Sequence, residues 1–270
     1  MNRLPSFSDV LRETRQARRL SQHELSRVTG VSQRHLSYLE CGRARPSRPM
    51  VLALARSLGL RLREQNRWLT AAGFAPRFAE RSLEDADMRP VHEALARLLE
   101  HAEPFPALVV DRAWNLVRAN QGALRLFTAL LGDVTTLWRR IGGEAPMNLL
   151  QLSFHPDGLQ RHIVNRAEVT AWVLARTRRE AEEHPEVRPV LDTVLGYPQV
   201  SEFLGALDPE HLPPPVLVEH YRFQGEDYRL FSVLSSFGTP LDVTADALRV
   251  EHFFPADAAT RDHLLRLAGA

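Results

Sequence analysis

Apolar residues recur at helical spacing in five short runs at the start of the chain. Phe7, Val10, Leu11, Thr14 and Ala17 share one face of a helix over about 7–18. Ser21 followed by Glu24 forms a capping box for a second helix, whose inward positions are Leu25 and Val28 and whose end is Gly30. Ser32 caps a third, with Leu36 and Leu39 inward, closed by Gly42. Ser47 opens a fourth carrying Val51, Leu54, Ala55 and Leu58, and a fifth covers about 62–72 before Gly73. Residues 74–87 mix Pro, charge and small side chains and read as a linker. A further helix follows, with Val91, Leu95, Leu98 and Leu99 on one face. From 106 the period changes to strands at 107–110 and 115–119, then a helix over 121–131 and a helical stretch over 157–183. Three runs rich in β-branched and aromatic residues, 216–223, 228–237 and 248–254, predict three more strands.

Composition adds little until it is divided. The whole chain has 270 residues and a net charge of +1. Residues 1–70 carry +9, however, and the remainder carries −8. A basic helical head joined to a larger acidic segment points to a polyanion-binding module with a separate partner domain. All basic residues are Arg. The single Cys41 excludes an internal disulfide, and no apolar run reaches the ~18 residues that span a bilayer. The N-terminus has no signal-peptide pattern, so a cytoplasmic protein is the expectation.

Two short helices joined across Val28-Thr29-Gly30-Val31-Ser32 make a helix-turn-helix. With Leu36 and Leu39 inward, Gln33, Arg34, Ser37 and Tyr38 lie on the outer face of the third helix, the face that meets base edges. Gln22 begins the second helix, where an amide and free N–H groups suit a phosphate. Arg43 and Arg45, with Arg48, follow in a loop suited to backbone phosphates. Leu20-Ser21-Gln22, Glu24-Leu25, Gly30-Val31-Ser32, Leu36-Ser37, Leu39-Glu40 and Gly42-Arg43 resemble the signature of the phage-repressor-like, or XRE, helix-turn-helix family. That resemblance implies a five-helix DNA-binding domain over 1–73. It also implies a structural ion pair between Arg15 and Glu40.

The second part resembles PAS domains in its order of two strands, helices and three strands, and in the hairpin 111–120. Ala72-Gly73-Phe74-Ala75-Pro76, His155-Pro156-Asp157-Gly158, Phe237-Gly238-Thr239-Pro240 and Phe253-Phe254-Pro255-Ala256-Asp257 are similar to segments of the MmyB-like transcription regulators. The resemblance implies a bacterial regulator whose PAS-like domain, here about 88–270, takes a small, fatty-acid-like ligand. Trp114, Phe127, Leu150, Phe154, Trp172, Phe231, Val233 and Phe237 are the apolar candidates for a cavity wall, and His155 for a head-group contact.

No His, Cys and carboxylate spacing marks a metal site, and no phosphate loop or nucleophile motif is present, so neither an enzyme nor a cofactor is expected. The sequence therefore predicts a multidomain α and α+β protein, a helical head and an antiparallel sheet with helices. It predicts a homodimeric DNA-binding regulator with a lipophilic ligand. The alternative is a dimeric DNA-binding scaffold without one.

Overall fold

The computed structural model describes residues 5–205 and 215–269. It divides into two compact units. One comprises Met1–Asp85 with Gly238–Asp246, and the other Ala86–Phe237 with Ala247–Ala270.

The first unit contains α1 (Phe7–Ala17), α2 (Gln22–Thr29), α3 (Gln33–Glu40), α4 (Arg48–Ser57) and α5 (Leu62–Ala71). Serine side chains at 6, 21, 32 and 47 cap the first four, and Ser6 and Ser21 form full capping boxes with Asp9 and Glu24. Gly30 ends α2 at φ +72°, a conformation that costs a residue with a Cβ. Leu11, Leu25, Leu36, Leu39, Leu54 and Leu69 are buried together, and Phe7 meets Trp68 edge to face at 5.5 Å. Val28, expected inward, is 50% exposed. Val31, in the following turn, packs against this core instead.

The segment read as a linker is largely part of this unit. Phe74 and Phe78 pack on the helical core. Asn66 Oδ1 accepts from the backbone N–H groups of Arg77 and Phe78, at 2.9 and 3.0 Å, and its Nδ2 donates to the Phe78 carbonyl. Linker composition was a poor guide because two aromatics at four-residue spacing give the segment something to bury. Residues 238–246 join it here. Ala79 bridges to Asp242 in parallel sense, and the Val243 N–H donates to the Ala79 carbonyl at 2.8 Å. Arg81 Nη1 donates to Asp242 Oδ2 at 3.0 Å and Thr244 Oγ1 donates to the Arg81 carbonyl at 2.6 Å.

The second unit begins with α6 (Arg89–Ala102), β1 (Ala107–Val110), β2 (Leu116–Ala119) and α7 (Gln121–Leu131). Five helices follow: α8 (Val134–Arg140), α9 (Leu149–Phe154), α10 (Arg166–Glu183), α11 (Arg188–Leu195) and α12 (Pro198–Gly205). Then come β3 (Glu219–Phe223) and β4 (Glu226–Ser236). After α13 (Val243–Ala247), most of which lies in the first unit, the chain closes with β5 (Arg249–Pro255) and α14 (Ala258–Ala268). The helical region between β2 and β3 is more divided than its sequence showed, because α8, α9, α11 and α12 are each eight residues or fewer and leave little periodicity to read.

The five strands are ordered β2-β1-β5-β4-β3, every neighbouring pair antiparallel. The register pairs Leu108 with Glu251 and Val110 with Arg249 across β1 and β5, and Ser232 with Phe253 across β4 and β5. Those residues share one face. Phe231, Val233, His252 and Phe254 face the other way. There Phe231 stacks on Phe254 at 5.4 Å, and Val233 is 48% exposed. Buried Asn120 locks the start of the sheet: its Oδ1 accepts from the N–H groups of Ala107 and Ala123, and its Nδ2 donates to the carbonyls of Leu99 and Phe105.

Gly122, in the first turn of α7, admits no side chain. A Cβ there would lie 2.4 Å from the Pro104 carbonyl oxygen and 2.7 Å from that of Phe105. Gly122→Ala is expected to destabilise the protein by about 1–3 kcal/mol, read as a lowered thermal midpoint of the full-length chain.

Candidate functional site

In the first unit the candidate surface is α3. Gln33 and Arg34 are exposed in its first turn, Tyr38 is exposed one turn on and Ser37 is half-buried. The i, i+4 spacing lets Arg34 Nε donate to the Tyr38 hydroxyl at 3.2 Å while its guanidinium lies 5.5 Å from the ring centre. That contact orients the Arg fork outward before any partner is met. Arg43 and Arg45 are exposed in the loop after α3. Gln22, at the start of α2, donates from its amide Nε2 to Glu40 Oε2 at 2.8 Å. Cys41, also exposed, follows α3 directly.

The inner end of α3 is held by charge. Arg15 Nε and Nη2 donate to the two oxygens of Glu40, at 2.6 and 3.1 Å, and Arg15 Nη1 donates to the Leu20 carbonyl. Arg12 donates to the Glu40 backbone carbonyl. Glu40 is 3% exposed and Arg15 15%. Burial alone would push the Glu40 carboxyl up, but the hydrogen bonds from Arg15 and Gln22 outweigh it and hold it below the usual carboxylate range.

In the second unit an apolar cavity with about 770 Å³ of empty space, its mouth included, lies between the sheet face described above and the helices α7, α9 and α10. Leu108, Leu230 and Phe253 come from the strands, Phe127 and Leu130 from α7, Leu150 and Phe154 from α9. Trp114, Phe127, Leu150 and Phe154 are therefore brought together as the sequence indicated. Five candidates lie elsewhere. Phe231, like Val233, faces the opposite side of the sheet, because a one-residue change of parity reverses a strand side chain. Trp172, Phe237 and His155 do not line the cavity. His155 meets Tyr197 edge to face at 5.3 Å, and its Nδ1 accepts from the Asp157 N–H, so it shapes its own loop. Asp157 does not cap the long helix, which starts at Arg166.

Sequence reasoning missed the polar end of the cavity, where Arg176, Glu219, Tyr221 and Glu251 join the lining. Trp114, buried with φ +67°, stands between two guanidinium groups, those of Arg176 and Arg249, each 4.4 Å from its ring centre. Its Nε1 donates to Glu180 Oε2, and Arg249 Nη1 donates to Glu180 Oε1, both at 2.8 Å. Arg249 Nη2 also donates to the Arg112 carbonyl at 2.9 Å, which fixes the turn that strains Trp114. Burial pushes the Glu219 carboxyl up to about 7, against the hydrogen bond donated by the Tyr221 hydroxyl. Burial also raises Glu251 and carries Tyr221 well above its ordinary value. Among the described residues no group of three or more His, Cys, Asp or Glu is placed to hold a metal ion, and no helix is long and apolar enough to cross a membrane.

Residues 6–69 match a helix-turn-helix domain, and residues 91–267 match the MmyB-like transcription regulator ligand binding domain. The chain belongs to the MmyB-like transcription regulators. It is thus a DNA-binding regulator with a ligand-binding domain, and α3 and the cavity fall in the two matched regions. Among solved structures it is similar to one described as the structure of an RNA-binding light-oxygen-voltage receptor, at 15% identity and a TM-score of 0.25. That likeness covers 97% of this chain and 63% of the other, so the regulator spans less than two thirds of the receptor's length. No curated protein matches the chain.

Removing Glu40 leaves Arg15 and Gln22 without their acceptor. Glu40→Ala is expected to cost about 3 kcal/mol, the lower end for a buried pair because Arg15 keeps some contact with water. Since the folded-state pKa is depressed, this stabilisation is present above the unfolded value of about 4.3 and is lost as pH falls through the lower folded value. The stabilities of wild type and Glu40→Gln in denaturant titrations should therefore converge as the pH is taken down below the ordinary carboxylate range.

Proposed function

We propose that this regulator binds a two-half-site operator as a homodimer in the bacterial cytoplasm, and that a lipophilic ligand with a fatty-acid-like chain alters its affinity for that operator. The observation that carries the ligand reading is the cavity, a mainly apolar space with a few polar groups gathered at one end. Pockets for organic ligands have this character, mostly apolar walls with a few placed polar groups. The DNA reading rests on the outer face of α3. Arg34 would pair with a base edge, Gln33 beside it with another, and Ser37 and Tyr38 would continue the face. Arg43 and Arg45 would hold phosphates, which position the head without specifying sequence. Two such heads on half-sites about one helical turn apart supply the contact area that one lacks.

Two substitutions separate the roles on the head. Arg34→Ala should cost about 1–3 kcal/mol on the selected operator and relax preference at one base position. Arg45→Ala should weaken binding to all sequences alike and flatten its salt dependence. An unchanged selection profile for Arg34→Ala would overturn the assignment of the outer face.

For the sensor, mass spectrometry of molecules released from the denatured full-length protein should find an apolar ligand. Coupling of about 1–3 kcal/mol would change operator affinity about 5–150-fold when it is restored. Leu130→Trp, which fills the cavity, should abolish that response while leaving operator binding in place. A protein that takes up no lipophile at any concentration would leave the ligand-free scaffold as the reading.

A further inference from the structure

An open recess on the head is lined by Arg48, Pro49, Leu52, Arg56 and Arg77. Arg48, Leu52 and Arg56 fall at four-residue spacing on one stripe of α4, and Arg77 comes from the segment that packs back after α5. Leu52 is buried, and the three arginines are exposed around it. No described carboxylate lines the recess, and none of the three guanidinium groups makes an ion pair or a hydrogen bond with any described residue. Other arginines of the head are matched: Arg15 by Glu40, Arg63 by Glu80, Arg67 by Glu13 and Arg81 by Asp242. Arg77 rests 5.6 Å from the Phe78 ring centre, a contact that occupies none of its N–H groups. Arg48 stands in the first turn of α4, where the helix dipole opposes a cation. Like charges gathered without a counter-charge work against the fold, and an anion from outside the chain completes the set.

We propose that this recess takes the sugar-phosphate backbone of DNA beyond the phosphates met by Arg43 and Arg45, so that the head follows one strand from the loop after α3 along α4. This rests on the reading of the head as a DNA-binding module and adds a second stretch of backbone to its contacts. The placement carries it. Arg48 comes three residues after Arg45, so a polyanion lying on that loop has a charged path onto α4. Arg48 and Arg56 are eight residues apart on the helix, about 12 Å along its axis. Each DNA strand offers one charge for about 3.4 Å of axis, so a stripe of this length meets more than one phosphate, whereas a single free phosphate leaves one end of it bare. Guanidinium groups suit the task because two parallel N–H groups can be given to one phosphate. Pro49 and Leu52 offer no side-chain hydrogen bond, so the contact is with backbone charge and carries no base preference.

The test titrates the full-length protein against a fluorescent duplex of random sequence, roughly 30 base pairs long, and follows anisotropy across a salt series. The double variant Arg56→Gln, Arg77→Gln should reduce the slope of log K against log salt by about 0.9 for each arginine and weaken binding about tenfold near physiological salt. Its base preference in operator selection should match that of wild type. The replaced side chains are exposed and unpaired among the described residues, so the variant keeps the fold. Arg67→Gln removes a charge from an exposed arginine that Glu13 already matches, and should leave the slope nearly unchanged. A drop for Arg67→Gln as large as that for Arg56→Gln alone would mark a diffuse effect of net charge and overturn the proposal. An unchanged slope for the double variant, beside a flattened one for Arg45→Ala, would also overturn it: the head would still bind DNA, and the recess would be left to an acidic protein surface. Slopes unchanged for the double variant and Arg45→Ala alike would overturn both the recess and the phosphate contacts of the head.

Discussion

The ligand-binding unit depends on where β5 lies in its sheet. This last strand is inserted between β1 and β4 and pairs with both. A central strand has no free edge, so its register is set from two sides and its alternation is enforced. Arg249, Glu251 and Phe253 are thereby turned towards the helices, and Val250, His252 and Phe254 away from them. Arg249 braces Trp114 and Glu180, Glu251 supplies buried charge, and Phe253 closes the apolar wall. Brace, charge and wall thus come from alternate positions of a single strand whose neighbours are made early in the chain and late.

Much of the head was legible in the sequence because its signals are local. A serine cap, a glycine stop and a few leucines at helical spacing define each element within ten residues. The sheet was harder. The runs of β-branched and aromatic residues located the strands, but in 228–237 apolar side chains occupy both parities, at Leu230 and Leu234 and at Phe231 and Val233. Such a run does not say which set faces inward, so Phe231 and Phe237 were grouped with a cavity they do not line. The buried charges were overlooked for a different reason. Glu219 and Glu251 stand in sequence as ordinary polar residues of half-exposed strands, and only the three-dimensional register shows them lining the cavity beside Arg176. The linker failed in the opposite sense, since Phe74 and Phe78 made it part of the head despite its polar composition.

In the head, polar interactions fix what the core leaves loose. Leu36 and Leu39 anchor α3 from one side, but two leucines on an eight-residue helix allow it to roll. The Arg15 fork on Glu40, with Gln22 on the same carboxylate and Arg12 on the backbone, ties the last turn of α3 to α1 and α2. The outer face is therefore presented by a helix whose rotation is set from behind. The contact between Arg34 and Tyr38 extends that order to a side chain that would meet DNA. Preorganisation of this kind reduces the entropy lost on binding.

The head is also discontinuous in sequence. The chain leaves it at Asp85 and returns at Gly238 for nine residues that include Asp242, Val243 and Thr244 before departing again. A ribosome completing this protein has thus made all five helices of the head long before it makes the strand-like segment that joins them. At about 5–20 residues per second, the intervening stretch takes roughly ten to thirty seconds to emerge. Throughout that interval the Val243 N–H that bonds the Ala79 carbonyl and the Thr244 hydroxyl that bonds the Arg81 carbonyl have not yet been made. Maturation of the DNA-binding end therefore waits until Asp246 has been made, and a nascent chain stalled within the ligand-binding region carries a head that is still unfinished.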